Sequence, residues 1–98
     1  MNEINFEFDV AKSAWLRKQR GVGFEEIITL IEAGKLLFST DHHNKLRYGE
    51  QGIYVIDIEN YVWLVPYLKR EHNIRLITCY PSRKATKKWL KENGYEKK

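Results

Sequence analysis

The sequence predicts a small mixed α/β (α+β) fold, in which an antiparallel sheet of about four or five strands accompanies two N-terminal helices and one C-terminal helix. Apolar residues repeat with helical spacing early in the chain and near its end, whereas β-branched and aromatic residues concentrate between positions 53 and 80. The 98 residues, 43% of them hydrophobic, are enough for one core, so residues 1–98 are predicted to form a single domain.

The N-terminal segment predicts a strand followed by a helix. Residues 4–9 alternate between apolar and polar side chains, which is the pattern of a half-buried strand. Asp9 can cap a helix over residues 10–19, because its carboxylate accepts hydrogen bonds from free backbone N–H groups. The apolar residues of this helix lie along one face: Ala11, Ala14 and Trp15.

A second helix follows a glycine turn. Apolar residues repeat at i, i+3, i+4 and i+7, and Gly34 then provides a left-handed stop. Gly21 and Gly23 lack the third glycine and the βαβ context of a phosphate-binding loop, so they are interpreted as a turn. The residues that carry the repeat are Phe24, Ile27, Ile28 and Ile31.

The middle of the chain predicts strands. Residues 36–38 are a candidate short strand before a polar loop, and three strands in meander order are expected over 53–58, 61–68 and 74–80. Pro66 interrupts the middle one of these three. An edge position or a bulge is therefore expected there, because proline has no N–H to donate to a sheet.

The positive charge of the protein is concentrated at its C-terminal end. Residues 1–80 hold ten Lys/Arg against eleven Asp/Glu, whereas residues 81–98 hold seven against two. A basic helix over about 82–93 is predicted, with Ser82 as its cap. Its cations form one exposed face that suits water, an acidic protein or nucleic acid: Arg83, Lys84, Lys87, Lys88 and Lys91.

Several classes of protein are not expected. His42 and His43 are adjacent and His72 stands alone, so neither a metal site nor a cofactor is predicted. Cys79 is interpreted as a small buried hydrophobe, because no nucleophile signature surrounds it. With no signal-peptide pattern and no apolar run of membrane-spanning length, a cytoplasmic protein is expected.

The polar stretch 41–48 is dense in groups that donate, accept or transfer protons. One interpretation is a solvated loop, since loops are normally polar. The other is a site in which a histidine transfers protons beside cations that bind phosphate.

These segments together resemble the BrnT family of bacterial type II toxin–antitoxin ribonucleases, small relatives of the RelE toxin fold, over nearly the whole chain. The resemblance is carried by Phe-Glu-Phe-Asp at 6–9 with Lys12, by residues 15–18 and 20–27, and most specifically by Pro-Ser-Arg-Lys-Ala-Thr-Lys-Lys at 81–88. Many members have Lys-His-Gly at the first turn, where this chain has Gln19-Arg20-Gly21. Others have His-Pro-Asn where it has His42-His43-Asn44.

The resemblance implies a RelE-like toxin that cleaves RNA and inhibits translation and growth. It also implies neutralisation by a cognate antitoxin, expected here to be acidic or to carry an acidic segment, in a hetero-oligomer that contacts DNA only through the antitoxin complex. No membrane partner is expected. Because of these two departures from the family pattern, the first turn has no catalytic histidine. His42 is the residue that matches the histidine of His-Pro-Asn.

The leading hypothesis is a metal-independent endoribonuclease that uses 2′-hydroxyl attack, with Arg83 and Lys84 stabilising charge on the scissile phosphate. Tyr80 either stacks on a base, donates a hydrogen bond to the phosphate, or belongs to the core. Two alternatives remain: a nucleic-acid-binding or regulatory module without catalysis, and a pure protein-interaction domain. The catalytic candidates are Arg83, Lys84, Arg47, His42 and Lys12, and the RNA-binding candidates are Lys87, Lys88, Lys45, His43, Tyr80 and Lys69.

Overall fold

The computed structural model of the protein describes residues 5–41, 50–70 and 72–92, and it confirms the mixed α+β class. The described elements are three helices and six strands, one or two strands more than expected. The strands are β1 (Asn5–Glu7), β2 (Leu36–Asp41), β3 (Glu50–Ile58), β4 (Tyr61–Arg70), β5 (Asn73–Leu76) and β6 (Tyr80–Pro81), and the helices are α1 (Val10–Arg20), α2 (Phe24–Glu32) and α3 (Arg83–Glu92).

The sheet has the order β1-β5-β4-β3-β2, and β6 pairs with β4 beside β5. All neighbours are antiparallel except β1 and β5, which are parallel. The meander of β3, β4 and β5 is confirmed. The expectation of one continuous strand over 74–80 is wrong, because pairing stops at Leu76 and the chain rejoins β4 as β6.

Pro66 lies inside β4, a central strand, so of the two expectations the edge position is wrong. The bulge is confirmed, because two β4 residues face three residues of the opposite segment between the Leu64–Tyr80 and Tyr67–Leu76 pairs. The carbonyl oxygen of Pro66 accepts a hydrogen bond from Ile77 N (2.9 Å), which shows that its backbone polar positions face the β5–β6 side. On that side β5 pairs from Tyr67 onward and β6 pairs up to Leu64. The missing N–H of Pro66 therefore falls in the gap between two strands, where no ladder bond is lost.

A two-residue turn joins β3 to β4. Glu59 and Asn60 both have positive φ, 53° and 67°, as a type I′ hairpin requires. The side chain of Asp57 accepts from Asn60 N at 2.9 Å. The turn fixes the register in which Ile58 faces Tyr61 and Asp57 faces Val62.

Helices α1 and α2 pack against one face of the sheet. Asp9 caps α1 as expected, accepting from Ala11 N and Lys12 N, and Gly21 ends the helix with φ 82°. The apolar residues assigned to one face of α1 do share a face, but that face is exposed. The buried residues of α1 are instead Ser13 and Leu16. The core comprises Leu16, Phe24, Ile27, Tyr54, Ile56, Trp63, Val65, Tyr67, Ile74, Leu76 and Cys79.

Ser13 is buried because it joins the two helices. Its hydroxyl accepts a hydrogen bond from Phe24 N (2.9 Å) and donates one to Glu25. Arg17 forms ion pairs with Glu25 and Glu26 at 2.6 and 3.0 Å. These local contacts turn the polar side of α1 toward α2 and leave Trp15 on the outside.

Candidate nucleic-acid interface

The start of α3 is held against β4 by two hydroxyl side chains. Ser82 caps the helix by accepting from Ala85 N, and its own N–H donates to Val62 O. The Thr86 hydroxyl, which is buried, donates to Ser82 O (2.7 Å) and accepts from Val62 N (2.9 Å). Both polar backbone groups of Val62 are thus bonded to the helix start, which fixes the position of α3.

The exposed side of α3 is a surface of four cations, which we call the α3 cationic face: Arg83, Lys84, Lys87 and Lys88. At 100° per residue they lie within an arc of about 140°. Within the described ranges 5–41, 50–70 and 72–92, none of these side chains takes part in an ion pair. Their charges therefore face solvent together.

The charges at the beginning of α3 oppose its dipole. The N-terminal end of a helix is positive, so a cation there is unfavourable by about 0.3–1 kcal/mol, and cations at i and i+4 repel by about 0.2–0.5 kcal/mol per pair. Arg83 and Lys84 nevertheless occupy the first turn, which has no acidic residue, whereas the first turn of α2 carries two glutamates. A bound anion would relieve both effects.

The C-terminal end of α1 lies beside the segment that leads into α3. The Arg20 guanidinium donates to Cys79 O at 2.6 Å. Burial raises the pKa of Cys79 to about 11, and the positive charges of Arg20 and Lys12 oppose this shift. Arg83 follows Cys79 by four residues, so their Cα atoms are at most about 14 Å apart.

Two other candidates are placed differently. Tyr80 is half-buried in β6, opposite Leu64, three residues before Arg83. Lys69 is exposed near the other end of β4, five residues beyond Leu64, which corresponds to about 17 Å along the strand. The structure therefore places Tyr80 near α3 and separates Lys69 from it.

Four candidates come from the polar stretch 41–48. His42, His43, Lys45 and Arg47 lie outside the described residues, as does the side chain of Lys91. Of the eleven candidates, those near the start of α3 are Tyr80 and the α3 cationic face, whereas Lys12 lies in the first turn of α1.

Arg20 and Trp15 were not selected from the sequence as site residues. Arg20 appeared there as a departure from a motif, and Trp15 as part of an apolar face. The structure places the Arg20 guanidinium carbon 5.6 Å from the centroid of the Trp15 ring. A usable signal was the composition of α1, which contains four cations and no acidic residue.

The helix α2 lines a cavity. A cavity of about 410 Å³ is lined by residues of α2 and β3 together with Val22. In the described part of the chain, no three His, Cys, Asp or Glu side chains are grouped as a metal site would require, and no helix is long and apolar enough to cross a membrane.

The features that bear on function are therefore the α3 cationic face, the hydroxyl contacts that position it, and Arg20 of α1 beside Cys79. Comparisons with protein-family models, with curated proteins and with solved structures found no match to this chain.

Proposed function

We propose that the protein is the toxin of a bacterial type II toxin–antitoxin system, acting in the cytoplasm as a metal-independent endoribonuclease. The observation that carries the proposal is the α3 cationic face, whose four cations are exposed on a helix that is held to the sheet. None of the four has an ion-pair partner among the described residues. Such a surface binds phosphate groups in series. The resemblance of residues 81–88 to the BrnT pattern supports cleavage rather than binding alone.

The proposed reaction uses the substrate's own nucleophile. A base removes the proton of a ribose 2′-hydroxyl, the 2′-oxygen bonds to the adjacent phosphorus, and the bond to the 5′-oxygen breaks as an acid protonates that oxygen. The products are a 2′,3′-cyclic phosphate and a 5′-hydroxyl. Arg83 is suited to the developing charge, because its planar guanidinium can donate to two phosphate oxygens at once, and Lys84 adds charge beside it.

The remaining roles follow from this assignment. His42 is the proposed proton-transfer residue, with Arg47 and Lys12 as further candidates around the scissile phosphate. Lys87 and Lys88, one turn after Arg83 and Lys84 on the same face, would bind the phosphates that follow along the strand. Tyr80, which is half-buried just before the helix, would contact a base or a phosphate.

Neutralisation by an antitoxin would use the same surface. An acidic partner segment that covers the α3 cationic face would exclude RNA, and its association rate should fall as salt rises. A complex in which Arg83 and Lys84 remain open to solvent would contradict this mode of neutralisation.

The second candidate is a nucleic-acid-binding module without catalysis. The exposure of all four cations supports this module as well as it supports the ribonuclease, because phosphate binding alone requires no buried group. A pure protein-interaction domain would neither bind nor cleave RNA.

The experiment is cleavage of 5′-labelled single-stranded RNA by the purified protein, with end-group analysis of the fragments. We expect cyclic-phosphate ends and a rate that is unchanged by chelation of divalent metals. A matched substrate with 2′-O-methyl riboses should be bound and left intact, since the nucleophile is blocked. Activity lost on chelation and restored by magnesium or zinc would contradict the mechanism, and binding of both substrates without cleavage would favour the module.

A further inference from the structure

The outer surface of α1 carries an exposed aromatic side chain that the proposed cleavage does not use. Trp15 is 50% exposed, although most tryptophans in folded proteins are largely buried. Its neighbours on this side of the helix are small or polar, with Ala11 one turn before it and Lys18 close to one turn after it, all exposed. Core packing therefore does not account for the indole.

Arg20 holds the indole in place. One of its guanidinium nitrogens donates to Cys79 O, and its central carbon lies 5.6 Å from the centroid of the Trp15 ring. This cation–π contact joins the aromatic ring to the segment that leads into α3. The ring is thus both exposed and oriented, which is the condition for a planar ligand to stack on it at low entropic cost.

The charge around Trp15 is positive. Of the four cations of α1, Arg17 is neutralised by Glu25 and Glu26 of α2. Lys12, Lys18 and Arg20 have no carboxylate partner among the residues that the structure describes. An anionic ligand therefore matches this surface.

We infer that Trp15 stacks on a base of single-stranded RNA whose neighbouring phosphates contact Lys18 and Arg20. Base stacking on an aromatic ring beside cations is how proteins bind single strands. A docked helix would instead need several large apolar residues at i, i+3, i+4 and i+7, whereas the residues one turn before and after Trp15 are small or polar: Ala11, Lys12, Lys18 and Gln19. The choice of RNA over DNA rests on the function proposed above.

The position of Trp15 relative to α3 supports one continuous path. Arg20 contacts Trp15 on one side and Cys79 on the other, and the extended segment 80–82 then leads to Arg83. A single strand that crosses the α3 cationic face at Arg83 can therefore continue toward α1. Trp15 would hold a nucleotide outside the scissile position and so raise affinity rather than the rate of bond breaking.

The test is binding of a 2′-O-methyl oligouridine of about ten nucleotides, which cannot be cleaved, to the full chain and three variants. We expect Trp15→Leu to weaken binding about 5- to 100-fold and Trp15→Phe to stay within about threefold of wild type, because phenylalanine keeps an aromatic face and leucine does not. Val10→Ser, which changes the most exposed apolar residue of α1, is the matched control and should bind as wild type. The oligouridine should also quench the tryptophan fluorescence of the wild type more than that of Trp15→Phe, which keeps the buried Trp63 and the half-buried Trp89 of α3; the difference between the two reports Trp15.

Thermal unfolding of each variant would verify that the fold is kept. Binding of Trp15→Leu at wild-type strength would overturn the inference and leave this surface to a protein partner. Equal losses in Trp15→Leu and Trp15→Phe would also overturn it, because the loss would then not depend on an aromatic face. The outcome is independent of cleavage: a chain that binds through Trp15 but cuts nothing keeps this inference and loses the proposed reaction. A DNA strand of the same sequence bound equally well would retain the stacking site and contradict its preference for RNA.

Discussion

Arg83 differs from the other cations of α3 in its position at the first turn, directly after the Ser82 cap. We predict that Arg83→Ala lowers the rate of RNA cleavage by about 10²–10³, the effect of removing one donor aimed at a transition-state oxyanion. Lys88→Ala removes the same charge one turn further along and should change binding slightly and the rate within about threefold. Single-turnover cleavage at saturating enzyme separates the two effects. Equal, small losses in both variants would remove Arg83 from the catalytic assignment.

Cys79 is fully buried, and burial raises the pKa of its thiol to about 11. The thiolate is the reactive form, so the folded protein should be nearly inert to thiol reagents at pH 8, and urea should expose a thiol of ordinary reactivity. The measurement is the rate of labelling by a chromogenic disulfide with and without urea. Labelling of the native protein at the rate of a small free thiol would show that Cys79 is accessible and would reopen the assignment as a core residue.

At the scale of elements, α1 and α2 approach each other at Gly23. A Cβ atom at that position would lie 2.8 Å from Ser13 Oγ, 2.9 Å from an Arg17 nitrogen and 3.0 Å from Ser13 O. We predict that Gly23→Ala destabilises the protein by about 1–3 kcal/mol through overpacking, measured by urea unfolding.

Gly34 provides the matched control for that prediction. Nothing lies within 4 Å of a Cβ at Gly34, and its φ of 83° makes an alanine unfavourable by about 1–2 kcal/mol through the backbone alone. Asparagine tolerates this conformation, so Gly34→Asn should recover part of the loss. Gly23→Asn should be no more stable than Gly23→Ala, because both side chains place a Cβ atom in the same close contacts. Unchanged stability in Gly23→Ala would show that the two helices do not need this close contact.

The same helix pair predicts how stability depends on pH. The hydrogen bond from Ser13 lowers the pKa of Glu25 most, and the hydrogen bond from Arg17 lowers that of Glu26. Because both pKa values are lowered on folding, the unfolded chain binds more protons in acid. The stabilisation is therefore present above the ordinary carboxyl value of 4.5 and is lost as the pH falls below it.

The measurement is the midpoint of thermal unfolding between about pH 6 and pH 3. The double variant Glu25→Gln, Glu26→Gln should flatten the decline. Glu32→Gln, in the last turn of the same helix, should leave it unchanged. A wild-type midpoint that stays constant through this range would contradict the role of the two carboxylates.

At the scale of the whole molecule, the charge is divided between separate surfaces. Lys87 belongs to the α3 cationic face. Lys69 lies on β4 about 17 Å from Leu64, the residue that pairs with Tyr80 just before α3. We predict that Lys87→Gln reduces the salt dependence of RNA binding by about 0.7 in the slope of log K against log salt, and that Lys69→Gln leaves it unchanged. An equal reduction in Lys69→Gln would extend the RNA path along β4.

Much of the local structure was predictable from the sequence. The Asp9 cap, the turn at Gly21, the left-handed Gly34 and the Ser82 cap all formed as expected, because each depends on groups within a few residues of one another. The basic face of α3 was predictable for the same reason, since helical spacing alone places Arg83 and Lys87 together. The site was harder to predict, because the contact of Arg20 with Cys79 joins positions more than fifty residues apart.

The sequence by itself determined the mixed α+β class, the element order and the concentration of charge in the last helix, which follow from spacing and local capping. The tertiary structure alone decided which face of α1 is buried, because Ser13 and Arg17 bond to a neighbouring helix and leave Trp15 outside. It also decided that Pro66 is tolerated in a central strand and that the last strand divides into β5 and β6. Those outcomes depend on which distant groups pair across the sheet, and no periodicity within one segment encodes that pairing.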